Sequence, residues 1–508
     1  MSEKNEDIQV NEAPESTIFS DPAHFSEQSD TKKRGNRRLL TRVLACVLAV
    51  GILAGATALA FKYIPELSTD NDKKDSISVT NTAENEVKAL TVKNELGTVK
   101  LNTEITEENG ESATVWSVDG VDKKLTSTAK ISSFAKSALT LCALEKLSND
   151  GTDFGFSAPK ATVTVNADKE YTLYIGNTAP ADLGYYCKTT LDSENIYIID
   201  GAVAVPFITA IATDFADTTG FASVQNDKNA SCFSGEEITN FDYIKISGKK
   251  HKTPIEIVVQ EDDEVNAYFA FKMVKPTVRI SDNDAPQAIL DVFADGFAVD
   301  GAYAFSADSA TLKKYGLDNP DYVVTLSLAG EAHTLKFSVV DDSYAAFFDG
   351  KTNMVQKIAL SSISFATAQV ENYYSSFIIL ENISGLSQMK VETPKGNFVF
   401  DIKYTEGAEE EFEISINGKK LDVARFKDYY GTLIEMTPIS FETANIKKAD
   451  VKVTYVHSGS LNDTVLAFKK SSELRYQAEI DGNPTGQITS TAVEKFISDT
   501  IKMANGTY

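Results

Sequence analysis

Histidine and cysteine are scarce in this chain: four of each among 508 residues. Cys46, Cys142, Cys187 and Cys232 are scattered without CxxC spacing, which excludes a readable zinc site or disulfide framework. Cys142 and Cys187 read as buried small hydrophobes. His24, His251, His333 and His457 are isolated, with no HExxH and no paired ligand, so no metal or cofactor chemistry is indicated. Positive charge is short as well. Lys plus Arg number 49 against 73 Asp plus Glu, a net charge of -24. With no basic stripe interleaved with aromatics, that balance excludes nucleic acid as a partner. Phosphate-cradling Gly-rich loops, a GxSxG elbow and a Cys/His nucleophile pair are absent too.

One long hydrophobic run is present. VLACVLAVGILAGATALAF, Val43 to Phe61, carries no charge, and at about 1.5 Å rise per residue it is long enough to cross a hydrocarbon core of about 30 Å. Lys32, Lys33, Arg34, Arg37, Arg38 and Arg42 precede it, the flank expected on the cytoplasmic side. Small residues at Ala56, Ala58 and Ala60 would suit signal cleavage, but the apolar core is too long and a polar tail precedes it. A lipoprotein reading of Cys46 fails because the run follows the cysteine, and a buried core helix would show a polar face. The expectation is an uncleaved anchor in the bilayer through residues 43–61, with everything after it outside the cytoplasm. Around it we expect a disordered cytoplasmic tail with its basic flank over 1–38, the transmembrane helix over 39–64 and a polar stalk over 65–86.

The remaining chain repeats a pattern weakly, about every 145 to 160 residues. Each pass opens with an alternating strand: ALTVKN at Ala89, YIKISG at Tyr243, QMKVET at Gln388. A second strand and an aromatic-containing third follow (ATVWSV, FAFKMV, EFEISI), then a helical stretch. The stripes predicted are Phe134, Ala138, Leu141, Leu144 and Leu147 in the first pass, Ile289, Val292 and Phe293 after Pro286 in the second, and Val423, Phe426, Tyr430 and Leu433 in the third.

The segment SADSATLKKYGLDNP then joins a helix stop to a strand start. Ser309 or Asp308 can cap a short helix, Lys313 and Lys314 suit its negative end, and Gly316 can take the left-handed conformation that terminates it. Pro320 pushes Asn319 out of the helical region. FGFSAP, Phe154 to Pro159, is a fainter version. The strands launched alternate: Val163 and Val165; Val324, Leu326 and Leu328; Val451, Val453 and Tyr455. Further strands follow (YTLYIG, HTLKFS, TVLAFK), then one holding Tyr185 and Tyr186, Phe347 and Phe348, or Tyr476. Asp349-Gly350 and Asp481-Gly482 are hairpin dipeptides. FITAIATDF and FATAQVENY close the first two passes with a Phe-x-Thr-Ala that reads as a helix start, and a helix around Ala492 to Met503 closes the third. The fold class expected is α+β: three tandem modules of meandering antiparallel sheet with helices on one face, over 87–235, 236–380 and 381–508.

The anchor, the aromatic strands and YGLDNPDYVVTLSL, FGFSAPKATVTV and IGNTAPADLGYYCKTT together resemble the family designated domain of unknown function 4340. The resemblance covers most of residues 87 to 380. It weakens in the third module, where NIKKADVKVTYV lacks both the Gly and the Pro. It implies a membrane-anchored extracytoplasmic protein beside permease and ATPase subunits of ABC-type transporters like the gliding-motility system, and it carries over no catalytic residues.

The sharpest enzymatic pattern is Ser133-Phe134-Ala135-Lys136, an SxxK, with Ser281-Asp282-Asn283 as SDN. Its third element should be Lys-Thr-Gly, and only Lys351-Thr352-Asn353 occurs. The pieces also fall at unrelated points of the repeat. The acidic clusters Glu261 to Glu264 and Glu409 to Glu411 lack the alternating ligands and turn glycine of a calcium loop, and His333 shares strand parity with Leu335 and Phe337 as a satisfied core or edge histidine. Asn229, Asn382, Asn462 and Asn505 begin formal glycosylation sequons. No catalytic, cofactor or metal residues are assigned. The reading is a non-catalytic accessory subunit of an envelope ABC-type transport assembly, with an independent surface module recognising a glycan or protein as the alternative.

Overall fold

The computed structural model describes residues 77–508, apart from 109–110, 252, 261–269, 407–410, 443 and 460. The segments expected to form the tail (1–38) and the transmembrane helix (39–64), with the first part of the expected stalk, lie outside the described residues. Among the described residues no helix is long and apolar enough to cross a membrane.

Among the described residues, three large antiparallel sheets of eight, nine and eight strands follow one another, with two small two-stranded sheets beside them. Each large sheet is made the same way. A meander comes first, of three strands in the first sheet (Val87–Asn94, Gly97–Glu108 and Glu111–Val118) and extended by a two-residue fourth strand, Arg279–Ile280 or Lys419–Lys420, in the second and third. A crossover holding a helix then leads to a second meander, whose opening strand returns to pair with the opening strand of the first. Those central pairs join Val87–Asn94 to Ala161–Ala167, Tyr243–Ser247 to Tyr322–Leu328, and Leu386–Thr393 to Val451–His457. The partners at their middle, Leu90 and Val165, Ile244 and Leu326, Val391 and Val453, are fully buried. Hydrophobic alternation therefore positions both sheet halves on one core.

Each crossover also sends a strand to the far edge. Glu145–Ser148 adds to Asp192–Ile199 and Gly301–Ala304 adds to Val355–Ala359. In the third sheet this shrinks to one bridge, Ser440 to Gln487. The crossover helices Thr128–Leu139, Asp284–Asp295 and Val423–Ile434 bury Ile131 and Ala135, Ile289 and Phe293, and Phe426 and Leu433 in the three main cores. The terminal helix Ser490–Asn505 joins the third core, where Tyr429 stacks on Phe496.

The Tyr315–Pro320 segment closes the short helix Ser309–Lys314 on the other face of the second sheet. Asp308 is the cap, accepting from Thr311 N–H at 2.8 Å. At the far end Gly316 has φ +71°, its N–H donates to Lys313 O, and Leu317 N–H donates to Leu312 O at 2.8 Å. This is a Schellman termination with its expected Leu312–Leu317 apolar partners. Ser338 of the underlying strand donates its hydroxyl to Gly316 O. FGFSAP crosses the first sheet likewise, without a helix: Asp153 accepts the N–H groups of Gly155, Phe156 and Ser157, and Asn177 N–H donates to Phe154 O.

Several expectations are corrected. The first helix ends at Leu139, so Leu141, Leu144 and Leu147 are outside it. Thr80, 61 residues earlier, accepts Leu141 N–H on its hydroxyl, and Ile77–Ser78 pairs with Cys142–Ala143. Long-range pairing thus overrides a helical spacing, leaves Cys142 exposed, and brings the end of the polar stalk into the first unit. Phe-x-Thr-Ala ends a helix instead of starting one: Gly201–Thr209 and Ser364–Thr367 stop there, and Ala210 and Ala368 are non-helical at ψ 129° and 130°. The next turn is capped by Asp214 and Asn372, which accept the N–H of Ile211 and Gln369. The helices do not all share one face, since Ser309–Lys314 packs with Ala346 opposite the core that holds Ala345 and Phe347. His333 is buried as parity predicts but is not satisfied, because neither ring nitrogen has a hydrogen-bond partner among the described residues.

Two outcomes are expected. Gly316→Ala destabilises the second unit by about 1 kcal/mol or more, since a Cβ is disfavoured at that φ; denaturant-dependent hydrogen exchange at Leu317 N–H measures it, and unchanged exchange refutes it. Burial, and next the charge of Lys351, push the pKa of His333 below its ordinary 6.5, with Glu331 opposing. The unfolded chain then binds the extra proton, so stability is intact above 6.5 and falls as pH drops toward the folded pKa, by at most about 1.4 kcal/mol per pH unit. His333→Leu removes that acid-side slope in urea titrations; a slope unchanged by the substitution contradicts it.

Candidate functional site

The structure does not bring the SxxK, SDN and Lys-Thr-Asn pieces together. Ser133 and Lys136 are exposed on the helix over the first sheet. Ser281 is fully buried beside the second sheet and donates its hydroxyl to Tyr373 O at 3.0 Å. Lys351 and Thr352 sit on a turn folded around the Asp349 carboxylate, and Asn353 accepts Ala307 N–H. Cys187 is buried, and burial pushes its thiol up to about 12, which removes it as a nucleophile. His251 donates Nε2–H to Ala366 O as a helix-end clamp. Asn229 is buried, its amide donating to Val224 O, and this sequon is inaccessible. Glu261 to Glu264 lie outside the described residues, as do Glu409 and Glu410. Among the described residues no group of three or more His, Cys, Asp or Glu could hold a metal ion.

What the fold does assemble is a cavity of about 360 Å³ where the second sheet, the connection through Phe377 to Glu381, and the hairpins of the third sheet meet. Four charged residues line it, Lys272, Arg279, Glu381 and Asp481, and Arg279 stands on the short strand Arg279–Ile280 at the edge of the second sheet. That residue is 8% exposed. Its guanidinium carbon lies 4.0 Å from the Tyr374 ring centre and 5.2 Å from that of Phe441, and Nη2 donates to Thr485 O at 2.6 Å. Stacking needs the planar guanidinium, which lysine lacks. Burial lowers its pKa, with Tyr374 working the other way, yet arginine is not deprotonated in proteins. Tyr374 bridges to Ser281 and packs on Phe441 at 4.4 Å, while Ser440, beside Phe441, bridges to Gln487. Arg279 therefore fastens the second unit to the third.

Glu381 closes the inner wall. His457 Nε2 stands 3.1 Å from its carboxylate with both side chains buried, and His457 Nδ1 donates to Asn462 O at 2.6 Å. Tyr430 donates to Glu381 O, and burial raises that phenol well above its ordinary pKa. With both ring nitrogens engaged, His457 presents no base to the cavity. The arrangement is equipped for binding and lacks a free nucleophile–base pair.

Sequence reasoning missed Arg279 and Glu381. A signal for the first existed: Arg279 is the only arginine between Arg42 and Arg425. The parity of His457 with Val451, Val453 and Tyr455 points it inward, but its partner is 76 residues away.

Arg279→Leu leaves Thr485 O without its donor in a buried junction, a loss of about 1–3 kcal/mol. The expected result is faster hydrogen exchange at Ile439 and Gln487 N–H, which bond across the Ser440 bridge, with Leu90 and Val165 in the first sheet unchanged; equal protection at the junction would refute the fastening role. Compared with models of known protein families the chain matches none, and no curated protein matches it.

Proposed function

We propose that this protein is a non-catalytic subunit of an envelope transport assembly, anchored by residues 43–61, with its sheets outside the cytoplasm and working beside an ABC-type permease and ATPase. The carrying observation is the charge-free run Val43 to Phe61, with six cations before it and tandem antiparallel sheets after it. The resemblance in YGLDNPDYVVTLSL and FGFSAPKATVTV supports the same partners. Binding over turnover is supported by the scattered motif pieces and by the engaged nitrogens of His457. Confinement to the membrane raises the local concentration of a protein for membrane-bound partners, which suits an accessory role.

The alternative is an independent surface module that recognises a glycan or protein, and exposed aromatic rows on a sheet would favour it. The rings on the outer face of the first sheet instead cover one another, Phe154 on Tyr186 at 4.2 Å, and Lys188 lies over Phe156 and Tyr174. That favours the subunit reading.

Protease added to intact cells stripped of wall is expected to digest the sheets, and full protection would reverse the topology. Deleting residues 43–61 is expected to abolish the cellular phenotype even when the rest is exported by another signal, whereas Ser133→Ala leaves it intact. Loss of function in a folded, abundant Ser133→Ala protein, or labelling of the wild type by a β-lactam, would overturn the non-catalytic reading.

A further inference from the structure

The cavity between the second and third sheets combines features that a packing contact does not require. Arg279 is a buried cation, and among the described residues its partners are two rings and a carbonyl, with no carboxylate in ion-pair range. Ring faces and carbonyls stabilise a guanidinium without neutralising it, and an unneutralised buried charge is costly. Of the other charges on the wall, Glu381 is engaged by His457, Asp481 accepts Val465 N–H and Lys272 is a second cation, and among the described residues neither carboxylate forms an ion pair with Arg279. The counter-ion that Arg279 itself lacks is an anion.

A second observation is independent of the charge. Thr485, 3% exposed, has a hydroxyl without a hydrogen-bond partner among the described residues, although its own carbonyl receives Arg279. Buried polar groups are normally paired, and an orphan beside a cavity marks a place where a ligand oxygen or water belongs. Ile378, Ile379 and Ile480 supply a branched aliphatic wall. A volume of about 360 Å³ is within the range of small-molecule sites, which favour junctions between units.

We infer that this cavity is a binding site for a small organic carboxylate with a branched apolar body, its carboxylate on Arg279 and the Thr485 hydroxyl, its body against the isoleucines. Inorganic anions match the charge but leave the apolar wall uncovered, and neutral apolar molecules leave Arg279 uncompensated. The site spans two units, so its occupant also ties them together, whichever partner the membrane anchor serves.

The test uses the full chain in detergent and ligand-observed NMR titration with isocaproate, its neutral analogue isocaproamide, and acetate. Saturable binding of isocaproate below about 10 mM is expected, with the amide and acetate each at least about tenfold weaker. Arg279→Lys keeps the charge but loses the planar fork and should weaken isocaproate about tenfold. Because that variant disturbs the junction, Val278→Trp provides the second arm: Val278 is at the rim and 37% exposed, so an indole there blocks entry while leaving the Arg279 contacts in place. Equal binding of acid and amide, no binding of isocaproate, or undiminished binding to Val278→Trp would each overturn the assignment.

Discussion

Every large sheet in this chain depends on a single antiparallel pairing, between the strand that opens the first meander and the strand that opens the second. Each meander alone is a local structure with two open edges, and open edges invite pairing with other chains. Joining the two opening strands removes one edge from each and doubles the sheet. In the first sheet the join runs from Asn94 with Ala161 to Val87 with Ala167. Closing such a loop costs entropy that grows slowly with its length, so a crossover of several dozen residues is tolerable. What the join demands is strict parity. Leu90, Val92, Val163 and Val165 must face one side together, and a one-residue slip would turn either strand's apolar set to the wrong face.

The contents of the crossover follow from that constraint. The chain leaves the last strand of the first meander at one end of the sheet and must return to its centre. On the way its helix covers the core, and its extended part reaches the last strand at the far edge, as Glu145–Ser148 and Gly301–Ala304 do. The third sheet keeps only the Ser440–Gln487 bridge of this excursion. Gly486 shows how tight the passage is: a Cβ there would lie 2.7 Å from Ser440 O. The shortened excursion is also what sets Phe441 against Tyr374 and gives Arg279 its second ring.

The junction between the second and third sheets is polar and specific where a plain apolar contact would have sufficed for adhesion. An arginine clamped by two rings and a carbonyl has one orientation, and the buried Glu381–His457 pair holds the connecting segment to the third sheet. Buried polar contacts of this kind discriminate among arrangements more than they add stability. Such a junction holds the second and third units in one defined relation.

Much of the architecture was legible along the chain because its causes are local. Period-two alternation marked Ala161–Ala167, Tyr322–Leu328 and Val451–His457 as half-buried strands. The Asp308, Lys313 and Gly316 signals described the helix Ser309–Lys314 because caps act within one turn. Asp481-Gly482 described its hairpin because its positive φ values, 48° and 79°, suit those residue types. The end of the first helix was not legible, since the acceptor of Leu141 N–H is Thr80, brought from 61 residues away. Nor was the direction of Phe-x-Thr-Ala, whose helices end against caps supplied downstream. The cavity was least legible of all: Arg279, Glu381 and Thr485 span more than two hundred residues and acquire meaning only when two sheets meet. By itself the sequence determined the strands, the turns and the number of repeats, because side-chain parity and backbone preference are properties of neighbours. Only the tertiary structure decided which edge received each crossover and which charge was buried at the junction, because those depend on pairing and desolvation between residues that the chain order keeps far apart.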